Sequence, residues 1–548
     1  MLAPTANGIG GPDNISLSNY GGVAADRAYR GAFAQDDWKI TQKLTLNLGV
    51  RWDYFTPTGE KYGAQANFVP GTPGSGAEYI IPSNRQNNPA LSASFLQTLQ
   101  QDGINLVYSN AYGGSGLSNV QNTNFAPRFG FAYQATSHLV VRGGYGIFYG
   151  AFENRGGYPS LGYNYPFQYS FYYYAPNSQS PMVLPNGQNG TLENSVAGIP
   201  LNPALVQGSG LTLRGIQLNY KTPYVQSYNF TLQYQLTPST SIEAGYVGSL
   251  SRHLETFVGT NNASELLPPG TNITPYTPFP NFAPGSPYDD TIGTADYHSL
   301  QSKLEHRFSK GLNLLVAYTF SKTLTDAADL LSGGGVSGFR APDLPNFGIR
   351  GDWGLAPFDV RHSFAASGTY ELPFGRGRTY MNSSNKLTDT LLGGWSVNWI
   401  LTLHSGNPQT IDCTYGTGAD NGCYALYTGA SLYAGQSVSH FYNAAAFANP
   451  PVVTQIGQTN YAPLGGGNTQ VTGPAFHRLD FSLFKSFPIT EHKRFEFRVE
   501  AFNLTNTPNF ALPSSTNFLD TVDFGKITST VDNPNDPREL QFALKFYF

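Results

Sequence analysis

Residues 44–54 read Leu-Thr-Leu-Asn-Leu-Gly-Val-Arg-Trp-Asp-Tyr. Leu44, Leu46, Leu48, Val50, Trp52 and Tyr54 fall on one side of an extended chain; Thr45, Asn47, Gly49, Arg51 and Asp53 fall on the other. Side chains of a strand alternate between two faces, whereas a 3.6-residue repeat scatters this apolar set around a cylinder. The stretch reads as a strand, and its 11 residues suffice to cross a bilayer at a tilt.

The same period recurs along the chain. Tyr228, Phe230, Leu232, Tyr234 and Leu236 alternate with polar residues, as do Trp395, Val397, Trp399, Leu401 and Leu403. Thirteen segments fit: 28–38, 44–55, 126–135, 139–150, 226–236, 241–251, 297–308, 312–322, 362–372, 395–404, 477–487, 494–504 and 539–548. Half-buried strands of soluble sandwiches alternate as well, so the period alone leaves open whether the apolar face meets a core or lipid. Connection length separates the two. Short links (39–43, 136–138, 237–240, 309–311, 488–493) alternate with long ones (56–125, 151–225, 252–296, 323–361, 405–476, 505–538), and 373–394 is intermediate. Short turns on one side and long loops on the other mark transmembrane barrels. Aromatic residues near segment ends, Trp38, Tyr54, Phe55, Tyr149, Phe320 and Phe487, suit an interfacial girdle. The expected fold is therefore an all-β transmembrane antiparallel barrel with short periplasmic turns and long extracellular loops, located in the bacterial outer membrane.

Composition agrees and excludes other classes. Of 548 residues, 14% are aromatic, 61 are Gly and only 12% are charged, about half the charge of a typical soluble domain. A net charge of -4 gives no basic surface for nucleic acid. No run of 18 apolar residues exists for a helical span. Phosphate-loop, zinc-protease and paired Cys-x-x-Cys motifs are missing, and the nine His lack ligand spacing. No enzymatic activity, cofactor or metal is expected.

On this register Arg51, Asp53, Arg142, Glu243, Lys303, Glu305, Arg307, Asp480, Glu496, Arg498 and Glu500 point into the lumen. Charges on the lipid face cost a few kcal/mol at mid-depth, which confines them inward. They form either a self-paired ladder or contacts to a plug that gates transport. Tyr158, Tyr163, Tyr165, Phe167, Tyr276 and Phe279 sit in long loops and are candidate ligand contacts, with loop packing the plainer role. Cys413 and Cys423 close a short loop and are expected to form a disulfide in an oxidising compartment.

Several stretches, in order, resemble the barrel of TonB-dependent transporters. They are 29–38 (Tyr-Arg-Gly-Ala-Phe-Ala-Gln-Asp-Asp-Trp), 44–54, 125–133 (Phe-Ala-Pro-Arg-Phe-Gly-Phe-Ala-Tyr), 141–149, 495–506 (Phe-Glu-Phe-Arg-Val-Glu-Ala-Phe-Asn-Leu-Thr-Asn) and 524–528. The nearest likeness is the Oar-like group with carboxypeptidase-regulatory-like N-terminal domains. Such transporters have about 22 strands around a plugged lumen. The resemblance implies that residues 1–548 are the C-terminal part of such a barrel, some 13–14 strands, with the plug and regulatory-like domain absent. It also implies uptake of a large ligand (peptide, glycan or chelate), powered by a TonB-type protein acting through the missing plug. The final strand, with Leu540, Phe542, Leu544, Phe546 and Phe548 on one face, resembles the signal read by the outer-membrane assembly machinery. The missing signal peptide and the odd segment count are read as a start that lies upstream. The alternative is a self-sufficient passive pore or surface adhesin of about 14 strands; a soluble glycan-binding β-protein ranks third.

Overall fold

The computed structural model describes the chain except residues 1, 5–9, 13, 20–21, 72–75, 112–113, 151–159, 177–179, 181, 185, 191–200, 328–352, 412–424, 459–469, 491–492 and 532–536. Thirteen strands form one continuous antiparallel sheet in sequence order. They are β1 (Tyr29–Lys39), β2 (Leu44–Phe55), β3 (Asn124–Gln134), β4 (Leu139–Tyr149), β5 (Tyr224–Thr237), β6 (Thr240–Gly259) and β7 (Pro287–Ser309). β8 (Leu312–Thr325), β9 (His362–Glu371), β10 (Trp395–His404), β11 (Phe476–Pro488), β12 (Arg494–Phe502) and β13 (Glu539–Tyr547) complete it. Each corresponds to one expected segment. Two short strands, Gly215–Ile216 and Gly354–Leu355, attach to β7 and β8.

The cross-strand register sorts side chains as the alternation requires. One outward rung runs Phe230, Tyr246, Leu300, Phe320 across β5 to β8. The neighbouring inward positions run Gln233, Glu243, Lys303, Ala317. The outward apolar residues are uncovered by protein: Phe230 is 49% exposed, Phe542 65% and Leu544 68%. Leaving such side chains in water forfeits roughly 1.5–3 kcal/mol each, so a hydrocarbon solvent outside is what makes this arrangement stable.

Apolar burial lies elsewhere. Among the described residues, all four buried apolar clusters are built from the long links, and none includes a residue of the thirteen bilayer-length segments. Among the described residues the wall therefore shares no buried apolar cluster with a second sheet. The largest cluster joins three links: Phe68, Tyr79 and Phe95 from the first, Tyr165 and Val206 from the second, Phe279 and Phe282 from the third. Within it the helix α1 (Ala93–Gln101) is capped by the Ser92 side chain and buries Phe95, Thr98 and Leu99, the i, i+3, i+4 stripe of one helical face. Three fully buried asparagines brace the links, Asn67 and Asn164 across two of them and Asn261 within the third. Asn67 donates to the Leu117 and Ile216 carbonyls and accepts from Ile216 N. Asn164 does the same with Ala66, Arg214 and Arg214 N, and Asn261 with Phe279, Phe282 and Phe279 N. The long-link side of the wall thus carries a folded cap.

Four details depart from the expectations. β6 and β7 extend well past 241–251 and 297–308, to 20 and 23 residues, and pair with each other above the wall. Asn14–Ser18, too short to count as a wall strand, pairs with Ser170–Tyr174 in the cap. Phe55 lies inward, stacked on Tyr29 at 5.0 Å, so it is no part of a lipid girdle. Charge is also found on the outward face. Lys485 sits at the short-link end of β11, over the rings of Trp395 and Phe487, while Arg252, Asp296 and Lys322 sit toward the long-link end. At interface depth a charge costs little, about 0–1 kcal/mol. Asp36 on β1, opposite Leu48, lies as near the short-link end of its strand as Lys485 does.

Candidate functional site

Two apart on a strand means one face, and this spacing lets inward charges meet. Arg51 bonds Asp53 (2.8 Å), Arg478 bonds Asp480 (3.1 Å), and Arg498 pairs with Glu496. Lys303 lies 3.8 Å from Glu243 and 3.9 Å from Glu305, which also takes Arg307 at 3.3 Å. Most of the inward charges therefore form a self-neutralising ladder. Among the described residues Arg142 and Glu500 carry no ion pair; Glu500 faces Ser482 and Gln541. Exposed apolar residues that the charge pattern did not flag also lie on the inner face, among them Phe33 opposite Arg51 and the pair Leu315 and Ile400, aligned through Ser367.

The loop aromatics are brought together, but in packing roles. Tyr165 (3% exposed) and Phe279 (7%) lie inside the largest cap cluster, and Phe167 packs against it. Tyr276 packs against the cluster around Leu267. Tyr163 lies under the Arg214 guanidinium at 5.7 Å. Tyr158, Cys413 and Cys423 lie outside the described residues. Of the terminal set, Leu540, Phe542, Leu544 and Phe546 all face outward on edge strand β13, and Phe548 stacks on Phe546 at 5.8 Å.

A concave site lies on the inner wall at the long-link ends of β1 to β4, with a volume of about 450 Å³, and a second of about 420 Å³ lies between β6 and β8. Register builds the first. Asp53, Arg51 and Arg128 occupy inward positions of β2 and β3, Phe148 an inward position of β4, and Tyr29 opens β1. Tyr29 Oη donates to Asp53 Oδ1 at 2.6 Å and accepts from the Arg51 guanidinium, closing a three-residue network. Arg128 lies over the Phe148 ring at 4.7 Å and Arg27 over Phe55 at 5.6 Å. Two glycines make the room. A Cβ on Gly31 would stand 2.7 Å from Tyr29 Oη, and one on Gly146 would stand 3.1 Å from the Phe148 ring. Sequence reasoning had Arg51 and Asp53 but not Arg128 or Phe148; their inward parity was legible, their pairing across β3 and β4 was not.

In the part of β7 that extends past the wall, where Ile216 pairs with it, Asp289 is completely buried with neither carboxylate oxygen hydrogen-bonded. Burial first, then the nearby Glu255 and Asp290, hold its pKa well above the usual carboxylate range. Tyr220 donates to Glu255, and burial, then Glu255, pushes that phenol up as well.

The profile of a family described as "Outer membrane beta barrel domain" matches residues 9–541. No curated protein matches the chain. Solved structures with a similar chain path include the outer membrane transporter YddB from Escherichia coli, 11% identical, with 95% of this chain and 45% of that one covered and a TM-score of 0.45. Another is the siderophore receptor PirA from Acinetobacter baumannii (10% identical, 95% and 46% covered, TM-score 0.41). A third is the pyoverdine outer membrane receptor FpvA from Pseudomonas aeruginosa PAO1 (10% identical, 96% and 42% covered, TM-score 0.40). The chain spans less than half the length of each.

Proposed function

From the premise that this chain belongs to the outer membrane beta barrel domain family, we propose that it is wall and extracellular cap of a TonB-dependent importer of the Oar-like kind. The observation that carries this reading is the inverted wall. Its apolar residues face out, a paired charge ladder lines its inner face, and among the described residues the buried apolar clusters lie in the long-link cap. The ligand meets the cap first and passes the inner wall; a plug, held by inward residues such as Arg142 and Glu500, gates it. Energy comes from a TonB-type partner through that plug, so the wall itself performs no catalysis.

Strand direction bears on how the wall closes, and it is met by one further strand in a pore of about 14 strands or by more in a larger importer. Twelve successive antiparallel pairings leave β1 and β13 running the same way at the two edges. A barrel antiparallel throughout then closes through an odd number of additional strands. Planar-bilayer recording of the refolded chain tests this. The importer reading expects no uniform conductance step from the chain alone; a single reproducible ohmic step points instead to a passive pore.

A further inference from the structure

We infer that the inner-wall site between β1 and β4 binds the carboxylate of a planar, aromatic solute; this rests on the importer reading and names the ligand chemistry of its wall. Asp53 is already matched by Arg51 and Tyr29. Arg128, exposed to the cavity, has no ion pair among the described residues and instead lies over the Phe148 ring, 4.7 Å from its centroid. A guanidinium supported on a ring keeps its fork of donors free in the plane, and that fork matches a carboxylate with two parallel hydrogen bonds. The ring of such a ligand has partners: Phe148 is 43% exposed, and the stacked pair of Tyr29 and Phe55 stands across the cavity. Offset stacking on such faces adds to the ion pair. The volume, about 450 Å³, falls in the range of small-molecule sites. Gly31 and Gly146 keep that space clear, since a Cβ at either would press on the Tyr29 hydroxyl or the Phe148 ring.

The test uses the full chain refolded into detergent, with 2-naphthoate as probe and equilibrium dialysis as readout. Naphthoate is expected to bind, 2-naphthylmethanol and cyclohexanecarboxylate much more weakly. Arg128→Gln is expected to lose about tenfold or more in affinity, as removal of a charge-assisted contact does. Arg128→Lys, which keeps the charge but not the fork, falls between. Lys322→Gln, an equal charge loss on the outward face, leaves binding unchanged. Equal binding of the alcohol, full retention in Arg128→Gln, or displacement of naphthoate by equimolar inorganic phosphate would overturn the assignment. Insertion of the same preparations into vesicles, read by protease protection, is scored separately. If binding fails in preparations whose outward strand faces meet lipid, the ligand assignment falls alone; if those faces do not meet lipid, the importer reading falls with it.

Discussion

Asp289 shows how a single side chain ties the cap to pH. Its carboxyl is buried without a hydrogen bond and its pKa is raised. A raised acid pKa means the folded state holds the proton more tightly than the unfolded chain. Cap stability is therefore full at low pH and falls as pH rises from about 4 through the raised value. Asp289→Asn is expected to flatten that slope and to stabilise the cap at neutral pH, measured by urea unfolding between about pH 4 and 8; an unchanged slope would refute it. Asn67→Ala leaves the Leu117 and Ile216 carbonyls and the Ile216 N–H without this partner. A loss of about 1–3 kcal/mol per unsatisfied group is expected, seen as faster proteolysis of the cap with the wall intact. The parity of Arg51, Asp53, Glu243 and Lys303 was legible in the sequence because a strand has a fixed two-residue period. The burial of Tyr165 and Phe279 was not, because ring partners that cover them, Phe95 for Tyr165 and Phe68 for Phe279, lie in another link.

At the scale of elements, the wall strands could be read because each keeps one period over a bilayer's depth. The reading stops at Ser251 because the β6–β7 register shifts twice, at Arg252/Leu254 and Leu254/Thr256, and His253 takes φ of 57°. Each shift breaks the alternation although pairing continues. The two faces of β5 offer a direct energetic contrast. Leu232 is outward and exposed near mid-strand, and Asn229 is inward and exposed. Leu232→Arg is expected to cost about 2–4 kcal/mol of insertion free energy and Asn229→Arg under about 1. Urea-dependent folding into vesicles measures both, and equal costs would contradict the assignment of faces.

For the whole molecule, lipid outside and water inside determines everything else: where charge is tolerated, why buried apolar clusters lie in the cap, and why the inner wall can carry a polar site. Spin labels at Tyr228 to Leu236 of β5, in a background with Cys413→Ser and Cys423→Ser, measure this most directly in lipid vesicles. Labels at Tyr228, Phe230, Leu232, Tyr234 and Leu236 are expected to relax with dissolved oxygen, and those at Asn229, Thr231, Gln233 and Gln235 with a water-soluble nickel chelate. Outward positions shielded from both reagents, or no alternation along the strand, would contradict the account.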